Sequence, residues 1–121
     1  MTNKNNKTNP ILISLINELK KQAKEKEAPI WKDIAKRLEK PLRNWPEVNL
    51  DKINKYVNNK ETALIPGKVL STGNIDKKIT ISAWSFSEKA EEKIKKAGGK
   101  TITIEELMEK NPKGKDIRIM G

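Results

Sequence analysis

The period of the apolar residues changes near residue 60, and this change restricts the possible folds more than any other feature of the sequence. In residues 9–58 apolar residues recur at helical spacing, whereas residues 62–121 alternate short β-rich segments with helical ones. No internal repeat is evident. A mainly helical first part followed by a mixed part predicts an α+β or irregular α/β fold in one globular domain, residues 9–121.

Three helices are predicted in the first part, because each apolar pattern there has a recognisable start. Proline is favoured at the first helical position, where its missing N–H costs nothing. Trp31 lies within the apolar face of the second helix and is predicted to be a core residue. The predicted starts are Thr8 or Asn9 as an N-cap before Pro10, then Pro29, then Asn49 as an N-cap.

The second part contains turn and strand signals. The β-rich segments TALIP and GKVL flank a turn predicted at Pro66-Gly67, and a second turn is predicted at 71–74. The segment KKITISAWSF alternates in the way a strand does. Its predicted faces are Ile79, Ile81 and Ala83 on one side, and Thr80, Ser82 and Trp84, the last a core residue, on the other.

Capping signals mark the remaining helices. Ser85 with Glu88, and Thr103 with Glu106, have the spacing of a capping box. They predict helices over 87–97, ending at a Gly-Gly pair, and over 105–110. The segments TITI and DIRIM are predicted strands.

The absence of cysteine and histidine excludes many functions. A thiol nucleophile, a Ser-His pair, an imidazole acid or base and a Cys/His zinc site are all impossible. The segment GKVLSTG lacks the spacing of a phosphate-binding loop, and the paired glutamates lie in lysine-rich helices where they support pairing and the helix dipole. The sequence therefore predicts no enzyme, no cofactor, no metal and no small-molecule substrate.

The charge of the chain points to a polyanionic partner. The 26 lysines and arginines exceed the 16 acids, giving a net charge of +10, and most of the excess lies in residues 1–60. The apolar runs are far shorter than the about 20 residues that cross a bilayer. We therefore expect a cytoplasmic protein that binds nucleic acid and no membrane.

Residues 1–8 are polar and basic, and we expect them to form a tail that becomes ordered only on RNA. The main cluster of cations follows one row of the second predicted helix and enters a proline-bracketed loop, and a row of cations matches a phosphate backbone. Trp45 in that loop either stacks on an unpaired base or folds back into the core. The candidate RNA-binding residues are Lys4, Lys7, Lys32, Lys36, Arg37, Lys40, Arg43, Trp45, Lys68, Lys113, Lys115 and Arg118.

A series of short motifs, in one register over residues 8–121, resembles a known family. The motifs are Thr8-Asn9-Pro10, Ala28-Pro29-Ile30-Trp31, Leu38-Glu39-Lys40-Pro41, Glu47-Val48-Asn49 with Ile53-Asn54, Pro66-Gly67-Lys68-Val69-Leu70, Phe86-Ser87-Glu88-Lys89-Ala90, Ala97-Gly98-Gly99, Thr103-Ile104-Glu105-Glu106-Leu107 and Asn111-Pro112-Lys113-Gly114. Each is weak alone, but together they are specific. They resemble the archaeal members of large-subunit ribosomal protein family eighteen-e.

The resemblance implies a structural protein of the large ribosomal subunit, bound to large-subunit rRNA and to neighbouring ribosomal proteins. It also implies an irregular strand–strand–helix superhelix in the C-terminal part, as in the related bacterial protein fifteen. Family members are typically richer in arginine after the motif ending at Pro41, whereas Arg43 is here the one cation of the loop. Because of this departure, we expect Trp45 or the preceding helix to contribute a larger share of the RNA affinity. The alternative to a ribosomal protein is a free-standing nucleic-acid-binding or RNA-remodelling module.

Overall fold

A parallel sheet with helices on both faces organises residues 9–121, which are the residues that the computed structural model describes. The mixed fold class predicted from the sequence is confirmed. The predicted tail, with Lys4 and Lys7, lies outside the described residues. In chain order the elements are α1 (Pro10–Glu25), α2 (Pro29–Leu38), a 3-10 turn (Leu42–Asn44), β1 (Glu47–Asn49), α3 (Leu50–Tyr56), β2 (Thr62–Leu70), β3 (Thr80–Phe86), α4 (Glu88–Lys96), β4 (Lys100–Ile102), α5 (Ile104–Lys110) and β5 (Ile117–Ile119).

Strand β2 lies at the centre of the sheet and uses both of its edges. On one edge it pairs with β3, which in turn pairs with β4. On the other edge two short strands follow one another, since β5 pairs with 62–64 and β1 pairs with 68–70. All of these pairings are parallel. Parallel sheets need cover on both faces, and the helices supply it.

The two faces of the sheet bury separate apolar clusters. The first cluster joins α1, α2 and α5 to Leu64 and Ile102, and the second joins α3 and α4 to Ala63, Ile65 and other strand residues. Alternate residues of β2 thus enter opposite clusters, as the pleat requires. The predicted alternation of β3 is confirmed, because Ile79, Ile81 and Ala83 lie in the second cluster whereas Trp84 packs on the first.

Trp31 is a core residue, as predicted, and it is completely buried in the first cluster. Trp84 is only partly buried and lies at the margin of that cluster. Among the described residues, no helix combines the length and the apolar character that a membrane span requires.

The turn predicted at Pro66-Gly67 is wrong, because β2 continues through both residues. The pairing between β2 and β3 shifts between Ile65 and Lys68, which marks a bulge. Gly67 is needed there for close approach rather than for a turn: a Cβ atom on it would lie 2.1 Å from the Pro46 carbonyl oxygen. The neighbouring amide of Lys68 donates to that oxygen at 3.0 Å.

Three of the helix starts agree with the sequence pattern, and one of them is that of α2, which begins at Pro29 as predicted. Asn9 caps α1 by accepting from the amide of Ile11 at 2.9 Å. Thr103 and Glu106 form the predicted capping box of α5, with bonds of 3.0 and 2.9 Å. These local contacts depend on few neighbours, which is why the sequence predicts them well.

Two other starts differ from the prediction. The N-cap of α4 is Ser87, whose hydroxyl accepts from the amide of Ala90, and not Ser85, which remains in β3. Asn49 occupies the predicted N-cap position of α3, but its side chain makes no capping hydrogen bond. Asn49 also ends β1, a strand absent from the sequence-based prediction.

An ion pair joins β5 to the loop before β2. The Nε atom of Arg118 donates to both carboxylate oxygens of Glu61 at 3.2 Å, and the Asn58 amide also donates to this carboxylate. These hydrogen bonds lower the pKa of Glu61 below its ordinary value of 4.5, and the bond from Arg118 has the largest effect. The pair therefore stabilises the edge of the sheet only while Glu61 is ionised.

We expect Gly67→Ala to destabilise the fold by about 2 kcal/mol, because the new methyl group meets backbone rather than a movable side chain. Urea denaturation followed by circular dichroism measures the change. Lys68→Ala, at the exposed neighbouring position, is the control and should leave stability nearly unchanged. Equal stability of the Gly67 variant and the parent would contradict the close approach to Pro46.

We expect Glu61→Gln to lower stability at neutral pH and to lose this effect in acid. A lowered folded-state pKa means that the carboxylate stabilises the fold above 4.5 and stops doing so as the pH falls through the lowered pKa. The midpoints of thermal unfolding of parent and variant should converge over this range. Glu109→Gln, on the exposed face of α5, is the matched control. A constant difference at all pH values would count against the ion pair.

Candidate nucleic-acid interface

The predicted row of cations on α2 is exposed. Lys32 and Lys36 lie one turn apart on α2, and Lys40 follows just beyond the end of the helix. The opposite face of α2 carries Trp31 and Ile34 into the first cluster. Because that face is fixed by the core, the lysine row keeps a constant direction relative to the sheet.

The row borders a groove between α1 and α2, with a volume of about 690 Å³. The groove is lined by four lysines, two glutamates, an alanine and a proline: Lys20, Ala23, Lys24, Glu27, Pro29, Lys32, Lys36 and Glu39. The Lys20 ammonium lies 2.8 Å from Glu39, and this bridge connects the two helices across the groove. The lining retains an excess of positive charge, which suits a phosphate backbone.

Lys20 and Lys24 are cations of this groove that the sequence-based prediction missed. Their spacing of four residues places them on one face of α1, and this spacing was an available signal. It does not reveal, however, that this face meets the Lys32 side of α2. Only the packing of the two helices brings the four lysines together.

Two of the predicted cations form ion pairs within the protein. The Nε atom of Arg37 donates to Asp33 at 3.1 Å, one turn earlier in α2. Arg118 pairs with Glu61, as described above. Their charges are therefore partly compensated locally.

The loop 111–115 is attached to the N-terminal helices and carries two further predicted cations. The indole N–H of Trp31 donates to the Pro112 carbonyl at 2.8 Å. The side-chain amide of Gln22 donates to the same carbonyl at 3.5 Å and to the Met108 carbonyl of α5 at 3.0 Å. Gly114, with φ of +71°, lies directly over Ile30. These contacts hold the exposed Lys113 and Lys115 beside the first turn of α2, near the start of the lysine row.

Arg43, Trp45 and Lys68 come together at the other end of α2, in a pocket of about 440 Å³. We name it the bulge pocket, because the β2 bulge forms one wall. Its lining residues are Leu42, Arg43, Trp45, Pro46, Glu47, Gly67, Lys68, Trp84 and Ser85. Trp84 and the bulge were not part of the predicted site, and no local pattern links these three segments.

Trp45 packs on the first cluster and also lines the bulge pocket. Its indole N–H donates to the Lys40 carbonyl at 3.0 Å, and its ring meets that of Trp84 edge-on, with centroids 5.7 Å apart. The ring is partly buried, so one part of it packs on the first cluster and another part lines the bulge pocket. Packing of Trp45 against the core is observed, and its stacking on a base stays a prediction.

A second basic surface lies on α4, outside the predicted site. A cleft there is lined by four lysines and one glutamate: Lys89, Glu92, Lys93, Lys95 and Lys96. Lys93 also has a structural role, since its ammonium donates to the carbonyls of Ser71 and Gly73 at 2.8 and 3.1 Å. Glutamates alternate with the lysines along α4, so the net charge of this segment does not reveal the basic surface.

Comparison with known proteins identifies the family of the chain. The profile of the family described as "Ribosomal protein 60S L18 and 50S L18e" matches residues 1–121. Curated relatives named "Large ribosomal subunit protein eL18" include those of Methanothermobacter thermautotrophicus, 48% identical, and Methanoregula boonei, 51% identical, each over 99% of both chains. That of Archaeoglobus fulgidus is 49% identical over 94% of this chain and 97% of its own. The chain belongs to the family of ribosomal proteins 60S L18 and 50S L18e.

Proposed function

We propose that this chain is a structural, non-enzymatic protein of the large ribosomal subunit that binds large-subunit rRNA and contacts neighbouring ribosomal proteins. Identity of about half of all residues to proteins named for that subunit, over nearly the whole of both chains, is the observation that carries the proposal. The aligned region covers 99% of this chain and 99% of each of those two relatives.

The distribution of charge supports RNA as the main partner. Exposed lysines line the α1–α2 groove, the loop 111–115 adds Lys113 and Lys115 at one end of α2, and Arg43 and Lys68 lie at the other end. Each phosphate that such a cation neutralises releases counterions and adds to affinity. Most of these contacts would position the protein on RNA rather than distinguish bases.

The described residues support a non-enzymatic role. Ser82 is the one buried polar or charged residue among them, so no lysine or carboxylate of residues 9–121 is buried. A general acid or base usually needs burial or a close like charge to adjust its pKa. We therefore propose that binding, and not chemistry, is the function of this surface.

Sedimentation of a native lysate at high salt tests the assignment. Mass spectrometry of the gradient fractions shows where the chain sediments. We expect it to travel with the large subunit at about one copy per particle, because a protein embedded among rRNA helices keeps contacts that salt does not screen. If high salt releases the chain while it still binds RNA, the free-standing module is the better description.

The double variant Lys32→Ala with Lys36→Ala tests the groove. The two ammonium groups should neutralise about two phosphates. For binding to an rRNA fragment, we therefore expect the plot of log affinity against log salt concentration to become less steep, its slope decreasing in magnitude by about 1.5. The control is Lys52→Ala with Lys55→Ala, which removes the same charge from α3 on the opposite face of the sheet. Equal effects of the two doubles would mean that only net charge matters and that the groove is not the RNA-binding surface.

A further inference from the structure

The bulge pocket combines two aromatic rings with two cations, a combination that occurs at no other cleft described above. Its volume of about 440 Å³ lies in the range of pockets that hold small organic ligands. The walls come from the 3-10 turn, from the bulge in β2 and from the end of β3, and the two strand segments are held in place by the sheet.

The aromatic wall is set in advance. The hydrogen bond from the indole of Trp45 to the Lys40 carbonyl fixes one ring, and the edge-on contact at an interplanar angle of 80° fixes Trp84 against it. Both rings also pack on the first cluster. A ligand that contacts them does not have to order them first, which lowers the entropic cost of binding.

The bulge places the cationic wall. Gly67 allows β2 to approach Pro46, and the Lys68 amide is fixed there by the Pro46 carbonyl at 3.0 Å. The exposed side chains of Lys68 and Arg43 then lie on the same pocket as the tryptophans. Glu47 and Ser85 add one carboxylate and one hydroxyl, groups that accept hydrogen bonds from amines or hydroxyls.

Apolar rings beside cations match the two parts of a nucleotide, a flat base and a charged phosphate. In duplex RNA the base faces are covered by their neighbours, whereas in loops and bulges a base can leave the stack and contact an aromatic ring. The Glu47 carboxylate disfavours a phosphate in its immediate vicinity and favours an exocyclic amine or a ribose hydroxyl there.

We propose that the bulge pocket binds one unpaired nucleotide of a single RNA strand, with its base against Trp45 and Trp84 and its phosphates near Arg43 and Lys68. The inference rests on the proposed function, since it assumes that RNA is the partner. The rest of the basic surface recognises phosphates. The bulge pocket adds one contact that requires an unpaired, exposed base. The protein would therefore favour an rRNA site with an extruded base over an uninterrupted duplex.

Binding of two matched RNA probes to the full chain tests this proposal. The probes are an oligoadenylate of about twenty nucleotides and an RNA duplex of about ten base pairs, which carry nearly the same total charge, and the readouts are affinity and tryptophan fluorescence. We expect the single strand to quench fluorescence more than the duplex. We expect Trp45→Leu to weaken single-strand binding about tenfold and to leave duplex binding unchanged, because stacking on one base is worth about that factor.

Variants that cannot disturb the core keep the test decisive. Arg43→Ala and Lys68→Ala, both at exposed positions, should each weaken single-strand binding more than Lys52→Ala, which removes the same charge from α3. Circular dichroism and thermal unfolding show whether the Trp45 variant is folded, and these two variants give the answer if it is not.

The possible failures are distinguishable. If neither probe binds, the proposed function fails together with this inference. If both probes bind equally, with equal quenching and no greater effect of the pocket variants than of Lys52→Ala, RNA binding stands and the nucleotide pocket is wrong. The latter result would leave a protein side chain as the occupant of the pocket.

Discussion

Strand β2 must satisfy hydrogen bonds on both edges while it buries side chains on both faces, and the rest of the structure depends on how it does so. Buried backbone groups need partners. One edge of β2 is therefore divided between β5 and β1, and the bulge adds one residue to β2 where the partner changes. Leu64 and Ile65 enter opposite apolar clusters, so both layers of helices are anchored to this single strand.

The sequence predicted those elements whose signals are local. The helical period of residues 9–58, the Asn9 cap and the capping box of Thr103 with Glu106 each depend on residues within one or two turns, and the structure confirms them. Pro66-Gly67 misled the prediction because the same pair that favours a turn also suits a bulge. What decides between them is the Pro46 carbonyl, a group twenty residues away whose position depends on the whole sheet.

The candidate interface shows the same division. The lysine row of α2 follows from its spacing alone, because one helix determines it. The α1–α2 groove also needs the packing of two helices, which is why Lys20 and Lys24 were missed. The bulge pocket needs three distant segments, and the partner of Trp45 in it, Trp84, belongs to a strand whose pattern gave only a core position. A periodic pattern describes one element and not the meeting of several.

The exposed cations form a defined surface because the helices and the loop that carry them are attached rigidly to the apolar core, although the chain is highly charged and has few apolar residues. The lysine side chains are flexible, but their backbone positions are fixed by residues on the reverse of the same elements: Trp31 is completely buried behind the α2 row and also holds Pro112 of the loop 111–115. One side chain thus couples the core, the row and the loop. A partner of fixed shape, such as folded RNA, is matched by cations whose spacing is set by the core, whereas cations on a disordered chain would have to be ordered at each binding event.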